Sequence, residues 1–155
     1  MTPNLELKHG KNYSLGQAGP WSALRQHVFK HPLMGNVPGK LFWKEPLQLT
    51  ALEISFGIVP PGRGTPFLHA HRENEEVYIF VQGKGQLLID GEVLDVREGT
   101  VVRVAPAGAR AWRNNSDGDL HYIVIQAKAG TLQKGTITDG MPVEGSPQWE
   151  NPSRT

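Results

Sequence analysis

The stretch PPGRGTPFLHAHRENEEVYIFVQGKGQLLIDGE, residues 60–92, decides the fold of this chain. Short apolar runs alternate in it with breaks rich in glycine, proline and acidic residues, which is the pattern of consecutive strands in a barrel or sandwich. Near its end, Asp90-Gly91 is a two-residue hairpin signal, because a tight primed turn needs the positive φ angles that these two residues tolerate. The stretch therefore predicts an all-β architecture.

The rest of the chain extends this pattern in both directions. Strand-like runs cover residues 40–45 and 49–59 before the stretch, and others follow it up to residue 127. Eighteen glycines and twelve prolines among 155 residues make turns frequent and long helices few. The exception is PWSALRQHVFKH, residues 20–31, which predicts one short helix that ends before Pro32.

The predicted organisation is one barrel domain with a flanking segment on either side. A length of 155 residues suits a single domain. We expect an N-terminal arm with the short helix over residues 1–39, a β-barrel over 40–130 and an irregular tail over 131–155, because the hydrophobic periodicity is lost after Gly130.

Composition excludes several classes of partner. Sixteen basic and fifteen acidic residues are interspersed, whereas a nucleic-acid surface shows as a clustered basic face. No apolar run approaches the ~18 residues of a membrane span, and the first eleven residues contain no apolar core of an export signal. The chain has no cysteine, which removes disulfide and thiolate chemistry and suits a reducing compartment. We therefore expect a cytoplasmic protein without nucleic-acid or membrane partners.

Three side chains of the stretch can carry chemistry together. His69 and His71 are two residues apart on a predicted strand, so they share a face and can reach one metal ion at about 2.0–2.1 Å. Glu76 would face the other way on an unbroken strand, but the polar RENE segment supplies a bend that can bring it back. Two imidazoles and a carboxylate form the facial set of non-haem iron sites, which Mn, Ni, Co, Cu and Zn also accept. Glu75, one residue out of phase, is the rival carboxylate.

The spacing His69-x-His71-x4-Glu76-x6-Gly83, preceded by the PPGRG turn, resembles the first conserved motif of the cupin superfamily. The resemblance covers about residues 49–127. It implies a double-stranded β-helix, a jelly-roll-like barrel whose mouth holds a divalent metal on those three residues and a third histidine. Similar small cupins form homodimers through strands and N-terminal extensions, which implies a dimer arm over residues 20–45 here.

The second cupin motif is only partly present. Counted from Gly99, the family's third histidine falls on Arg110 and its asparagine on Asn114, and an alternative alignment puts Ala111 at the histidine position. A guanidinium cannot act as a metal ligand, but it can grip a carboxylate or phosphate through two hydrogen bonds. His121 is the one downstream histidine that could replace the missing ligand.

Two kinds of function therefore stay open. One is a metal-dependent enzyme of dioxygenase, decarboxylase or isomerase type, with Fe, Mn, Ni, Co, Cu or Zn on His69, His71 and Glu76. The other is a metal-free module that binds or senses a small anionic or oxygenated metabolite. An epimerase that uses a histidine as its base ranks below both, because it needs more nucleotide-binding surface than the chain offers.

The predicted ligand-binding residues combine one polar anchor with an aromatic lining, as is common in small-molecule cavities. They are Arg110, Tyr78, Phe80 and Trp112. No catalytic residue is assigned from the sequence.

Overall fold

The computed structural model describes residues 4–149, and most of its regular structure is β-strand. The strands are, in chain order, β1 (Glu6–His9), β2 (Ser14–Gln17), β3 (Val28–His31), β4 (Gly35–Pro38), β5 (Lys40–Phe42), β6 (Glu53–Val59), β7 (Asn74–Gln82), β8 (Lys84–Ile89), β9 (Glu92–Arg97), β10 (Val101–Val104), β11 (Arg110–Arg113) and β12 (Leu120–Lys128). A 3₁₀ helix, Trp21–Gln26, precedes β3, and a single-turn helix α1, Lys44–Leu47, follows β5.

Two antiparallel sheets face each other to form the barrel. The larger sheet has five strands in the order β10-β7-β12-β6-β5, and the smaller has three in the order β11-β8-β9. Two separate hairpins, β1-β2 and β3-β4, come from the N-terminal part of the chain. The Asp90-Gly91 turn joins β8 to β9 with φ angles of 50° and 87°, as the sequence predicts. The all-β, jelly-roll-like barrel is thereby confirmed.

Strand alternation divides the side chains between two cores. The barrel interior holds the larger cluster, which consists of Val59, Tyr78, Phe80, Leu87, Val96, Val104, Leu120, Tyr122 and Val124. The opposite face of β6 and β5 packs against the N-terminal part of the chain in a second cluster, whose buried members are Leu24, Leu41, Trp43 and Ile58. Burying a large apolar side chain contributes about 1.5–3 kcal/mol, so both faces of the five-stranded sheet are stabilised.

The short helix predicted over residues 20–31 is wrong. Only Trp21–Gln26 is helical, as a 3₁₀ helix without a side-chain cap at Pro20, and the chain is extended again from Val28. Val28 and Phe29 are β-branched and aromatic, and they pair in β3 with Pro38 and Val37 of β4. Pairing across the hairpin therefore overrides the weak local helical preference.

The strands of the two facing sheets lie between residues 40 and 128. β5 begins at Lys40 and β12 ends at Lys128, and residues 131–149 contain neither helix nor strand. Residues 1–3 of the predicted arm and 150–155 of the predicted tail lie outside the described residues. The domain division, the dimer arm and the cytoplasmic location stay predictions. Within residues 4–149, no helix is long and apolar enough to span a membrane.

Candidate metal and ligand site

The structure brings His69, His71 and Glu76 together at the barrel interior. One ligating atom from each of the three lies within 4.8 Å of the others. The two histidines precede β7 on an irregular segment that is held to the smaller sheet by backbone hydrogen bonds, with His69 and Arg110 exchanging two and His71 N donating to Pro106 O over 2.8 Å. A bend at residues 72–73 then leads into β7. The polar segment thus places the carboxylate beside the imidazoles.

Glu76, not Glu75, is the carboxylate of this cluster. Glu76 is 5% exposed and faces inward with Tyr78 and Phe80 on β7. Glu75 faces outward, where it forms an ion pair with Arg103 on β10. The strand alternation after the bend therefore decides between the two acids.

The two oxygens of the Glu76 carboxylate have different partners. Oε2 accepts hydrogen bonds from the Tyr78 hydroxyl over 2.6 Å and from Arg110 Nε over 3.1 Å. Oε1 lies 3.1 Å from His71 Nε2, yet these two atoms do not form a hydrogen bond. Oε2 is therefore fully engaged, and Oε1 is left facing the histidine.

Arg110, one of the two positions that the sequence aligns with the third cupin histidine, lies in the wall of the barrel. Its side chain is 0% exposed, and besides Glu76 it donates through Nη1 to Gly108 O over 2.6 Å and to Pro106 O over 3.3 Å. Only Nη2 has no partner. The bidentate grip on a ligand anion that the sequence suggests for Arg110 is not available in this arrangement, because two of its three nitrogens already serve the protein.

Burial shifts the pKa of two side chains at this cluster, His69 and Tyr78. Burial lowers the pKa of His69, and the Glu76 charge opposes that shift while Arg110, His71 and His31 reinforce it. The imidazole is therefore neutral near pH 7, as a metal ligand must be. Burial and the neighbouring Glu76 charge raise the pKa of Tyr78, so its hydroxyl stays protonated and remains a donor.

The donor set fits a divalent transition metal. His69 Nδ1 and His71 Nε2 are buried without a hydrogen-bond partner, which is costly for a polar atom unless another group satisfies it. Two ligands about 2.1 Å from one ion lie about 3.0–3.4 Å apart when adjacent, and His71 Nε2 and Glu76 Oε1 are 3.1 Å apart. Tyr78 and Arg110 also hydrogen-bond the ligating carboxylate, as outer partners in metal sites commonly do.

The aromatic residues predicted to bind ligand divide into two groups. Trp112 lies beside the cluster, with its ring centroid 5.8 Å from that of His69 and 5.6 Å from that of Tyr78. Phe80 is 1% exposed and packs against Tyr122 in the barrel core. Trp112 therefore packs beside the cluster, Tyr78 hydrogen-bonds Glu76, and Phe80 belongs to the core. Ligand binding by Arg110 and these three residues stays a prediction.

A second group of aromatic side chains forms the rim next to His69. The His31 ring on β3 lies 5.7 Å from the ring of Phe67, which in turn lies 6.4 Å from that of His69. Phe29, also on β3, contacts Phe42 on β5 at 4.8 Å. The N-terminal hairpin thus contributes one side of the opening, which the sequence alone did not indicate.

Neither alternative ligand position reaches the cluster. His121 lies on the outer face of β12, with its ring 5.7 Å from that of Trp21 in the 3₁₀ helix. Ala111 alternates with the inward-facing Arg110 and Trp112 on β11, so its side chain faces the other way. The cluster in the described part of the chain therefore has two imidazoles and one carboxylate.

Asn114 has a structural role at the end of β11. It is 1% exposed, and its Nδ2 donates to Val59 O and Gly118 O while its Oδ1 accepts from the Ser116 backbone. The asparagine of the second motif therefore fixes the loop before β12, even though the histidine of that motif is absent.

Comparisons with known proteins agree with this architecture. The family model described as Cupin domain matches residues 55–126. The crystal structure of a cupin protein from Bacteroides fragilis is 39% identical to this chain, covers 68% of it and 89% of its own length, and superimposes with a TM-score of 0.66.

Two curated proteins also match, over shorter regions. An uncharacterized protein of Methanocaldococcus jannaschii is 37% identical over 49 residues, which is 32% of this chain and 38% of that protein. A glucose-6-phosphate isomerase of Pyrococcus horikoshii is 30% identical over 100 residues, which is 54% of this chain and 53% of the isomerase. The chain thus spans about half or less of these two relatives. Its barrel, its His-x-His motif and its likeness to the Bacteroides protein establish that the chain belongs to the cupin superfamily.

Proposed function

We propose that this protein is a metal-dependent cupin that binds a small oxygenated anion next to His69, His71 and Glu76. The observation that supports this most directly is the pair of buried, unpartnered imidazole nitrogens facing a carboxylate oxygen whose twin is already bonded. A divalent metal held there would polarise an oxygen of the ligand as a Lewis acid. Two imidazoles and one carboxylate leave coordination positions open for such a ligand.

The residues of this chain have separate tasks in that function. His69 and His71 would hold the metal through their imidazole nitrogens, and Glu76 would contribute Oε1. Tyr78 and Arg110 hold Oε2, which fixes the carboxylate plane and keeps its charge compensated. Trp112 packs beside His69, with the two ring centroids 5.8 Å apart.

Isomerisation is the first of the three predicted reaction types to test. The support is the 30% identity to a glucose-6-phosphate isomerase over about half of either chain. Dioxygenase and decarboxylase reactions use the same kind of ligand set. An assay panel of aldose and ketose phosphates, followed by small 2-oxo and dicarboxylic acids, ranks the three types directly.

A metal-free binding module is the second candidate, and a different observation favours it. Arg110 already neutralises Glu76, so the carboxylate needs no metal for its charge to be compensated. The family's third imidazole is also missing from the cluster in the described residues. This candidate predicts ligand binding that is unchanged by chelators.

Elemental analysis of untagged protein separates the two candidates. We expect a divalent transition metal near one equivalent per chain, retained through gel filtration, and its loss in His69→Ala and His71→Ala. His121→Ala is the control, because it removes a buried imidazole that lies on the outer face of β12, away from the cluster. Wild-type protein that stays metal-free after dialysis against each of the six predicted metals would overturn the proposal.

A further inference from the structure

Lys40 directs its side chain into the barrel, although it begins an otherwise apolar strand. Its neighbour Leu41 packs in the outer cluster, so Lys40 and Phe42 occupy the inner face of β5. The Lys40 ammonium donates to Ser55 Oγ over 2.9 Å. It also lies 4.9 Å from the ring centroid of Tyr122 and 5.2 Å from that of Phe42. An aromatic pocket with one hydroxyl thus surrounds this cation.

The absence of a side chain at Gly57 creates the space for this contact. Gly57 on β6 pairs with Lys40 on one side and with Tyr122 on the other. The Tyr122 ring lies across the glycine, where a Cβ atom would be 2.2 Å from Cζ. The two side chains that flank Gly57 therefore meet over it.

The positive charge of Lys40 has no counter-ion of its own. Within residues 4–149, no carboxylate oxygen lies within 4.0 Å of its Nζ. Glu76 and Glu53 are the acids whose charges act on Lys40, and both already have other partners. Glu76 binds Arg110 and Tyr78. Glu53 Oε1 accepts hydrogen bonds from the backbone N–H groups of Trp43 and Lys44.

The balance of these effects is unfavourable to the Lys40 charge. Burial lowers the pKa of Lys40 to about 8, with Glu76 and Glu53 opposing the shift. The Lys40 side chain is partly buried, and its ammonium has three protons to donate where only one hydrogen bond is made. An apolar residue would fill the same space without this cost. An anion from outside the chain would supply the partner that the Lys40 ammonium lacks.

A continuous aromatic wall connects Lys40 with the His69 cluster. The Lys40 ammonium lies over the Tyr122 ring, and the ring centroids of Tyr122 and Trp112 are 5.8 Å apart. The ring centroids of Trp112 and His69 are also 5.8 Å apart. The hydroxyl of Tyr122 stays protonated, because burial raises its pKa. The rings of Tyr122 and Trp112 therefore form a chain of aromatic contacts from the Lys40 ammonium to His69.

We propose that Lys40 is the anchor for the anionic group of the ligand, accepting a carboxylate or phosphate oxygen at Nζ while the oxygenated end of the same ligand meets His69, His71 and Glu76. The second half of this statement rests on the proposed function, and the first half does not. The anion anchor is thus Lys40, which lies outside both cupin motifs, and not Arg110, which is engaged with Glu76.

Binding of inorganic phosphate and malonate to purified protein tests the anchor. Isothermal titration at pH 7 should detect at least one of the two anions on wild-type protein, and Lys40→Met should weaken that binding at least tenfold. Lys84→Met is the matched control, since Lys84 is exposed at the start of β8 and its loss should leave the affinity within twofold. Thermal denaturation of Lys40→Met verifies that the variant is folded.

The two anions also identify the ligand class. Phosphate binding without malonate binding assigns a phosphorylated ligand, and the reverse assigns a carboxylate. Equal affinities of Lys40→Met and wild type, or no binding of either anion by wild type, would overturn the anchor. Repeating the titrations after chelator treatment separates the proposals, because Lys40-dependent binding that survives metal removal supports the anchor even where the metal site fails.

Discussion

The guanidinium of Arg110 and the carboxylate of Glu76 form an ion pair inside the barrel, with Nε 3.1 Å from Oε2 and both side chains buried. Arg110 thus compensates the charge of the acid. Removing one partner of a buried pair leaves an uncompensated charge, which costs about 3–5 kcal/mol. This relationship leads to the first prediction.

Arg110→Met should lower the free energy of unfolding by about 3–5 kcal/mol, because Glu76 then loses its charged partner. The double variant Arg110→Met/Glu76→Gln should recover part of that loss, since no unpaired charge remains. Urea denaturation of the two single variants and the double variant measures the coupling. Strictly additive single effects would show that the two side chains do not depend on each other.

Lys40→Met should raise the free energy of unfolding by about 1–3 kcal/mol at pH 7. The pKa of Lys40 is about 8 in the folded protein and 10.5 as the ordinary value, so the unfolded chain binds more protons between these limits. The wild-type penalty is therefore complete below pH 8 and disappears as the pH rises to 10.5. Denaturant titrations at pH 7 and pH 10 measure the difference.

The denaturant titrations of Lys40→Met need an exposed lysine as their control. Lys84→Met serves as that control and should show little gain at either pH. Glu53 and Glu76, the acids whose charges act on Lys40, are present in every variant. A gain for Lys40→Met that is equal at both pH values would contradict a buried charge.

Gly57→Ala should destabilise the fold by about 1–3 kcal/mol through overpacking. The added Cβ would lie 2.2 Å from Tyr122 Cζ, so the ring has to leave its position. Gly118→Ala is the control, because nothing lies within 4 Å of the corresponding Cβ. Thermal melting of both variants, compared with a Gly57→Ala/Tyr122→Leu double variant, shows whether a smaller side chain at 122 relieves the clash.

Tyr78→Phe should weaken metal binding about tenfold without unfolding the protein. The variant keeps the buried ring but removes the hydroxyl that holds Glu76 Oε2 at 2.6 Å, and outer partners of this kind change metal affinity by about 10–100-fold. Competition with a chromophoric chelator gives the affinity of each protein. Equal affinities would mean that Arg110 alone orients the carboxylate.

Local sequence signals were sufficient to predict the barrel and the His69, His71 and Glu76 cluster. The His-x-His spacing, the polar bend and the Asp90-Gly91 turn act over a few residues, so their geometry can be derived without the rest of the fold. The choice of Glu76 over Glu75 also follows from strand alternation after the bend. These features are determined by short-range backbone geometry.

The parts that sequence reasoning missed depend on contacts between distant segments. The inward orientation of Lys40 depends on the pairing of β5 with β6, and its environment depends on Tyr122 across the sheet. The predicted helix over residues 20–31 includes Phe29. Its extended conformation depends on pairing with Val37 on the next strand, which local preference does not show. A motif alignment also does not reveal that Arg110 donates hydrogen bonds to Gly108, Pro106 and Glu76.

The ion pair between Arg110 and Glu76 also bears on whether the barrel can fold before it binds a metal ion. Because Arg110 neutralises Glu76 within the chain itself, the barrel needs no metal ion to compensate this charge while it folds. Under the metal-dependent function proposed above, metal loading would then be a separate, reversible exchange after folding. In such an exchange the metal acquired depends on availability as much as on affinity, and at equal availability copper and zinc outcompete manganese and iron.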